Sequence, residues 1–319
     1  MQAAAENRAL NMLASALGPV RRYFDDPEIT EIYVNSDAHL WVERLGRGRE
    51  DTGTKIAAAD TRKLIEMVAS FASSIANKER PVISAELPFY GYRFEGSLAP
   101  VSRAPSFNIR KPALRVYSLE DYVESGIMTE TQMQVLKTAV RARENILVAG
   151  GTGSGKTTLA NALLGEIAKT GDRLLILEDT RELVCRAADF EAFRTQDNVS
   201  MADLVKSAMR RRPDRIIVGE VRDRSALDLL KAWNTGHPGG ICTLHANSAY
   251  GALLRLEQLT GEATVTPQET LIGEAVKLIV YIERKSEMVN GKAVSARKVK
   301  EVCRCAGYHS GRYELAAVE

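Results

Sequence analysis

The hydrophobic positions at the start of the chain follow two different periods. Apolar and polar residues alternate along 32–42, which predicts a β-hairpin that turns at 35–38. Apolar residues recur three or four positions apart along 60–77, which predicts an amphipathic helix. Residues 90–110 are predicted to be extended, with prolines interrupting them. We therefore predict a small α+β domain over residues 1–112.

After this domain the sequence indicates a boundary and then two helix starts. A linker is predicted over 113–118, because the chain there follows a Lys-Pro pair. Ser118 with Asp121 has the spacing of a capping box, and so has Thr129 with Gln132. Each pair predicts the first turn of a helix.

Short apolar runs separated by helical stretches dominate the second domain, predicted over 119–319. Four of these runs are strand candidates: 145–149, 173–177, 215–218 and 240–244. Such a pattern predicts a parallel sheet with helices on both faces. The tail differs, with a strand at 277–282, a hairpin turn at Asn290-Gly291 and further strands after it. This domain is therefore predicted to be of the α/β class.

Composition narrows the function classes. The 319 residues carry 43 basic and 41 acidic side chains, and this near balance argues against direct nucleic-acid binding. The four cysteines have no CxxC or zinc-like spacing, so reduced thiols in a cytoplasmic protein are expected. No apolar run reaches the length of about 18 residues that spans a membrane. We predict no transmembrane segment and a cytoplasmic location, with peripheral attachment to the inner membrane left open.

One segment carries a strong chemical signal. Residues 150–157 read GGTGSGKT, the full phosphate-binding pattern GxxxxGK[ST], between an apolar strand and a helical stretch. Backbone N–H groups of such a loop converge on phosphate oxygens, and the helix that follows presents its positive end. Lys156 would neutralise the β- and γ-phosphate oxygens, and the Thr157 hydroxyl would ligate Mg²⁺. The predicted nucleotide-binding residues of this segment are Gly151, Thr152, Gly153, Ser154, Gly155, Lys156, Thr157 and Thr158.

Hydrolysis of a nucleotide also needs a carboxylate that orients or deprotonates water. Glu178 and Glu220 follow apolar strands, and ligands of an open α/β sheet bind at the carboxyl ends of its strands. Gly219 stands where most P-loop enzymes carry an Mg²⁺-binding Asp, so Glu220 is predicted to be the base, a metal ligand through water, or both. Glu178 is predicted to help hold Mg²⁺, partly through water. His245 also ends an apolar strand, where it would position the γ-phosphate; the competing interpretation of all three side chains is a solvated or structural role.

These motifs carry a resemblance to a known family. The phosphate loop, segments 178–183 and 219–220 and the histidine segment 235–246, in this order, resemble the secretion traffic ATPases. That superfamily includes type IV secretion, type II secretion and type IV pilus motors, and the glycine before Glu220 is typical of it. Asp-Thr within 178–183 resembles the type IV secretion branch, because pilus motors commonly have Pro after this Asp. The chain is most similar to the conjugation ATPases of that branch.

The resemblance implies a RecA-like P-loop NTPase domain preceded by the smaller α+β domain. It also implies a homo-hexamer that binds ATP and Mg²⁺ between the two domains and works with inner-membrane components of a secretion or mating-pair apparatus. Arginines of the first domain would then reach the phosphates; the candidates are Arg93, Arg103 and Arg110, and Arg110 fits the family pattern best as a catalytic residue. One arginine of 210–212 would act across a subunit boundary, with surface solvation as the alternative.

The sequence therefore predicts a hexameric ATPase that powers assembly of, or transport through, a type IV secretion or conjugal transfer apparatus. One alternative is a motor for type IV pilus assembly or retraction. A second is a DNA translocase or helicase, which the balanced charge disfavours. A third is a nucleotide-binding scaffold that hydrolyses almost nothing, which Glu220 disfavours.

Overall fold

The chain forms two compact units, each with a sheet of its own. The computed structural model describes residues 2–44, 47–112, 116–196, 198–289 and 292–318. The two units are Met1–Leu114 and Arg115–Glu319. Within the predicted linker, 113–115 lie outside the described residues, and so do Asn290 and Gly291 of the predicted hairpin turn.

The amino-terminal unit is built on an antiparallel sheet. Its elements are α1 (Gln2–Leu17), β1 (Ile29–Val34), β2 (His39–Arg44), β3 (Gly48–Lys55), α2 (Ala58–Phe71), β4 (Val82–Leu87), β5 (Tyr92–Ser97) and β6 (Ser106–Arg110). Within the described part of this unit the six strands follow the order β3-β2-β1-β6-β5-β4, each antiparallel to its neighbours. The predicted hairpin is confirmed as β1 and β2, in which Ile32 pairs with Val42 and Val34 with Leu40. All four side chains are buried, so the alternation in the sequence fills the core from one face of the sheet.

The helix predicted over 60–77 is shorter in the structure. α2 ends at Phe71, and Ser73 has a φ of +56°, a left-handed conformation that does not continue a helix. Ile75, which we expected on the apolar face, is 66% exposed. The apolar spacing continues past the turn, so periodicity alone overestimated the length of the helix.

The carboxy-terminal unit has a predominantly parallel sheet. Its elements are α3 (Leu119–Glu124), α4 (Glu130–Arg141), β7 (Ile146–Gly150), α5 (Lys156–Ile167), β8 (Leu174–Glu178), β9 (Phe190–Arg194), α6 (Met201–Ala208), β10 (Arg215–Val218), α7 (Ser225–Asn234), β11 (Ile241–His245), α8 (Ala249–Gly261), α9 (Glu269–Ala275), β12 (Leu278–Val289), β13 (Lys292–His309) and β14 (Arg312–Ala317). Among the described residues of this unit, eight strands follow the order β14-β13-β12-β7-β11-β10-β8-β9. From β12 to β9 neighbouring strands are parallel, and β13 and β14 extend the sheet in antiparallel fashion.

Alternate residues of the central strands fill two cores, one on each face of this sheet. Leu147 and Leu175 belong to the core that also contains side chains of α6 to α9. Ile146 and Leu174 belong to the opposite core, with side chains of α3, α4 and α5. The central strands β7, β8 and β10 are buried at every position, as expected for a parallel sheet between two helical layers. The predicted α/β class is confirmed.

The local signals at helix and strand ends also agree with the structure. Both predicted capping boxes are present, at Ser118 and at Thr129. The four predicted strands correspond to β7, β8, β10 and β11. β9 was not predicted, because its residues are half-buried or exposed at the edge of the sheet and form no apolar run. In the described part of the chain, no helix is long and apolar enough to cross a membrane.

Candidate active site

The candidate residues of the carboxy-terminal unit meet at one edge of its sheet. β7, β8, β10 and β11 run parallel, so their carboxyl ends lie side by side. His245, the last residue of β11, pairs in register with Gly150, the last residue of β7. Thr243 of β11 donates its hydroxyl to the carbonyl oxygen of Gly219 at 2.6 Å, which fixes the segment that carries Glu220. The strand ends that the sequence suggested are therefore brought together.

The phosphate-binding loop runs from the end of β7 into α5. Gly155 precedes the first residue of α5 and has a φ of +102°, a conformation that favours glycine because it lacks a Cβ. The amino end of α5 consequently points its free N–H groups into the loop. The ammonium of Lys156 donates to the Gly151 carbonyl oxygen at 3.0 Å. The loop thus holds its own lysine over the place where phosphates bind in such loops.

A line of polar side chains runs from the loop lysine to the second carboxylate. Lys156 Nζ lies 3.4 Å from each ring nitrogen of His245, and His245 Nε2 lies 2.9 Å from Glu220 Oε1. The other oxygen of Glu220 accepts from Arg222, whose Nε is 2.8 Å away. Partial burial lowers the pKa of His245, and the Lys156 ammonium lowers it further. The Glu220 carboxylate opposes this fall in the pKa of His245, so the ring lies between a cation and an anion that act on it in opposite directions.

Glu220 lies beside an open cavity. The cavity has a volume of about 460 Å³, and its walls include Glu220, Arg222 and Asp179. The cavity offers room for a water molecule beside the carboxylate.

Glu178 lies deeper than Glu220 and has a different environment. Its side chain is 3% exposed, and its Oε1 accepts the backbone N–H groups of Glu182 and Leu183, each at 2.9 Å. Burial raises the pKa of Glu178 to about 7, although the two N–H donors oppose the shift. A Cβ on Gly219 would lie 2.9 Å from Glu178 Cγ. The glycine at 219 is therefore what leaves room for Glu178.

The hydroxyl of Thr157 faces a carboxylate that we did not single out from the sequence. Thr157 Oγ1 donates to Glu182 Oε2 at 3.2 Å. Asn161, one turn further along α5, donates to the Glu182 carbonyl oxygen at 3.2 Å and accepts the Val184 N–H at 2.8 Å. The segment after β8 is thus tied both to Glu178 and to α5, and this places Glu182 beside the phosphate-binding loop.

The predicted arginines of the amino-terminal unit lie on its central strands or near them. Arg93 of β5 and Arg110 of β6 pair in register, and Arg110 Nε lies 3.9 Å from Glu31 Oε1. Arg103 lies in the segment between these two strands. The role predicted for these arginines toward phosphates stays a prediction.

The arginines at 210–212 follow α6 on the exposed surface. Arg211 Nη1 lies 3.5 Å from Glu191 Oε1, and its guanidinium lies 4.7 Å from the centre of the Phe193 ring. These contacts with β9 agree with the alternative of a surface role for Arg211.

Sequence reasoning missed several residues at this edge of the sheet. Glu182 and Arg222 lie inside the two segments that suggested Glu178 and Glu220. The sequence showed that they are charged, but it did not show which residues their side chains contact. Two further arginines, Arg284 and Arg297, reach the loop from β12 and β13. They had no signal in the sequence, because their contact with the loop depends on strand register.

The chain is similar in sequence to a known family along most of its length. Residues 14–318 match the sequence profile of a family described as Type II/IV secretion system protein. The chain belongs to this family. The probable conjugal transfer protein TrbB of Sinorhizobium fredii is 49% identical over 311 residues, which cover 97% of this chain and 93% of that relative. The conjugal transfer protein TrbB of Rhizobium radiobacter is 52% identical over 292 residues, which cover 91% of this chain and 88% of that relative. The expected resemblance to the type IV secretion and conjugation branch is confirmed.

The fold of this secretion-family chain is similar to that of a solved structure. The ATPase DotB of Legionella pneumophila matches with a TM-score of 0.61 at 20% identity, over 86% of this chain and 78% of that chain. A likeness at this identity shows the fold alone. It agrees with the predicted RecA-like unit preceded by a smaller α+β unit.

Proposed function

We propose that this secretion-family protein is an ATPase that powers assembly of, or transport through, a type IV secretion or conjugal transfer apparatus. The observation that carries the proposal is the line from Lys156 through His245 to Glu220, which sets a carboxylate at the edge of a complete phosphate-binding loop. The similarity to conjugal transfer proteins supports the choice of apparatus over a pilus motor or a DNA translocase. The proposed working form is a homo-hexamer at the cytoplasmic face, bound to inner-membrane components of that apparatus.

Nucleotide binding would use the loop and the start of α5. The backbone N–H groups of the loop and the positive end of the helix attract phosphate oxygens. Lys156 now donates to the neutral carbonyl oxygen of Gly151. On binding, it would exchange this bond for one to a phosphate oxygen, and a charge-assisted bond is roughly twice as strong as a neutral one. ATP would thus be bound by replacing a weaker internal contact at the same lysine.

The residues present fit Mg²⁺ of the nucleotide. Such an ion usually keeps several waters and is held by one or two protein side chains together with phosphate oxygens. Thr157 and Glu182, whose oxygens are 3.2 Å apart, would be these side chains, and the ion would neutralise charge on the β- and γ-phosphates. Among the residues that the structure describes, there is no cluster of three or more His, Cys, Asp and Glu that could hold a metal ion. Glu178 would act on the metal through the segment that carries Glu182, which it anchors.

Glu220 is the proposed base for the attacking water. Its Oε2 is fixed by Arg222, so the carboxylate keeps one orientation, with Oε1 toward His245. A fixed carboxylate beside the phosphate loop can accept the hydrogen bond of a water and orient it for attack. His245 would position the γ-phosphate relative to Glu220.

The proposal is tested by the rate of phosphate release from ATP with the purified full-length chain. Wild type should turn over, Lys156→Ala should lose nucleotide binding, and Glu220→Gln should bind ATP but lose at least about tenfold in rate. Glu191→Gln is the matched control, since it removes the same charge from an exposed side chain on β9. Light scattering with ATP present should show a hexamer. Inert wild type, or a Glu220→Gln variant as fast as wild type, would overturn the proposal.

A further inference from the structure

The hairpin of β12 and β13 extends past the edge of the sheet where the phosphate-binding loop begins. Ile282 of β12 pairs with Gly150, the last residue of β7, so the part of β12 after Ile282 runs alongside the loop itself. Arg284 lies two residues further, and Arg297 of β13 is its direct cross-strand partner. Side chains of a directly opposed antiparallel pair lie on the same face and close together. The hairpin therefore presents two arginines side by side at the loop.

Both arginines contact the loop at its glycines. A Cβ on Gly153 would lie 3.3 Å from Arg284 Nη1. A Cβ on Gly155 would lie 3.3 Å from Arg297 Cδ and 3.6 Å from its Nε. The guanidinium of Arg284 and the stem and Nε of Arg297 thus lie against the loop backbone, and they come this close because positions 153 and 155 have no side chain.

The hairpin brings positive charge close to the loop. Lys156 and the positive end of α5 already make the loop electropositive, and the hairpin adds two more cations. Glu283, the neighbour of Arg284 along β12, lies 2.9 Å from Lys285 and 3.6 Å from Lys300. Such a concentration of cations is stabilised when a polyanion binds.

We propose that Arg284 and Arg297 bind the polyphosphate of the nucleotide, from the side of the loop opposite Glu220. The proposal rests on the proposed function, since it needs a nucleotide in the loop. Phosphate is the part of the nucleotide that suits two arginines, because the planar guanidinium fork matches phosphate oxygens and forms short, charge-assisted bonds. The adenine ring carries no negative charge and gains less from two adjacent cations. The carboxy-terminal hairpin is thereby part of the nucleotide site, and its position is coupled to the number of phosphates bound.

The test compares the affinities of the full-length chain for ATP, ADP and adenosine by isothermal titration calorimetry. The proteins are wild type, Arg284→Gln, Arg297→Gln and the double variant, with Arg312→Gln as a matched control on an exposed position of β14. The double variant should weaken ATP binding by roughly tenfold or more, ADP binding by less, and adenosine binding by less than about twofold. The control should bind all three ligands as wild type does. Arg297→Lys keeps the charge but not the planar fork, so it should recover only part of the ATP affinity that Arg297→Gln loses.

The outcomes separate this proposal from the one it rests on. If wild type binds ATP and the double variant binds it equally well, the two arginines have no part in binding and this inference is overturned alone. An equal loss for ATP and adenosine would also overturn it, since the arginines would then support the base or only the shape of the loop. If wild type binds no nucleotide, both proposals fail. Melting temperatures without ligand should be the same for all the variants, and a lower melting temperature for the double variant than for Arg312→Gln would show a structural role instead.

Discussion

Substitution of Gly219 by alanine tests whether the glycine before Glu220 is a packing requirement. In many P-loop enzymes an aspartate occupies this position, so an added side chain could be thought harmless. In this structure a Cβ at 219 would lie 2.9 Å from Glu178 Cγ and 3.3 Å from its Oε1. Glu178 is 3% exposed and holds two backbone N–H groups. We therefore expect Gly219→Ala to push Glu178 out of place.

The magnitude follows from this geometry. Carbon atoms in contact prefer separations of about 3.5–4.0 Å, so Glu178 would have to retreat by roughly 0.6–1 Å. Overpacking of this kind costs about 1–3 kcal/mol, and each hydrogen bond lost by Glu178 adds about 1 kcal/mol. The free energy of unfolding should fall by about 2–4 kcal/mol. The segment that carries Glu182 should also lose its fixed position, and Mg²⁺-dependent ATP affinity should decrease with it.

The assay is urea denaturation followed by circular dichroism, with ATP affinity measured on the same samples. Gly165→Ala on α5 is the matched control, since a Cβ there meets nothing within 4 Å, and alanine in a helix should be neutral or stabilising by up to about 1 kcal/mol. A Gly219→Ala protein within about 0.5 kcal/mol of wild type, with unchanged ATP affinity, would refute the packing argument.

Three further predictions concern stability and reactivity. Arg215 is 1% exposed and pairs with Asp172 at 2.6 Å, so Arg215→Met should lower the free energy of unfolding by about 3–5 kcal/mol; a loss below about 1 kcal/mol in urea denaturation would contradict this. Thr129→Ala removes the capping box of α4 and should lower the free energy of unfolding by about 1 kcal/mol in the same assay. An unchanged free energy of unfolding would show that the cap is unimportant. Burial raises the pKa of the thiols of Cys242, Cys303 and Cys305. These thiols should therefore stay unreactive toward a thiol reagent at pH 7 until the protein unfolds. Rapid labelling of any of them in the native protein would be inconsistent with their burial.

Features of this chain that depend on residues a few positions apart were predictable from the sequence. Contacts between distant parts of the chain were not. The phosphate-binding loop and both capping boxes depend on residues a few positions apart, so their patterns are complete in the sequence. The end of α2 was missed because apolar spacing continues to Ile75 beyond the left-handed turn at Ser73. β9 was missed because an edge strand need not be apolar.

The candidate site shows the same division. Glu178 and Glu220 were found from their position after apolar strands, since strand ends of a parallel sheet converge. The contact of Glu182 with Thr157 depends on how the segment after β8 folds back onto Glu178 and Asn161. The secondary-structure propensities of these residues do not predict how the segment folds back, because its path is set by side chains far apart in the chain.

The measurement that tests the account most directly is the identity of the nucleotide that stays bound to Glu220→Gln. Wild type and variant would be mixed with ATP and Mg²⁺, freed of unbound nucleotide by rapid gel filtration, and their bound nucleotide identified by chromatography. If Glu220 orients the attacking water, wild type should carry mainly ADP, and the variant should retain ATP in an equal amount per chain. A variant that carries ADP as wild type does would contradict the assignment of hydrolysis to Glu220, and with it the central claim about this site.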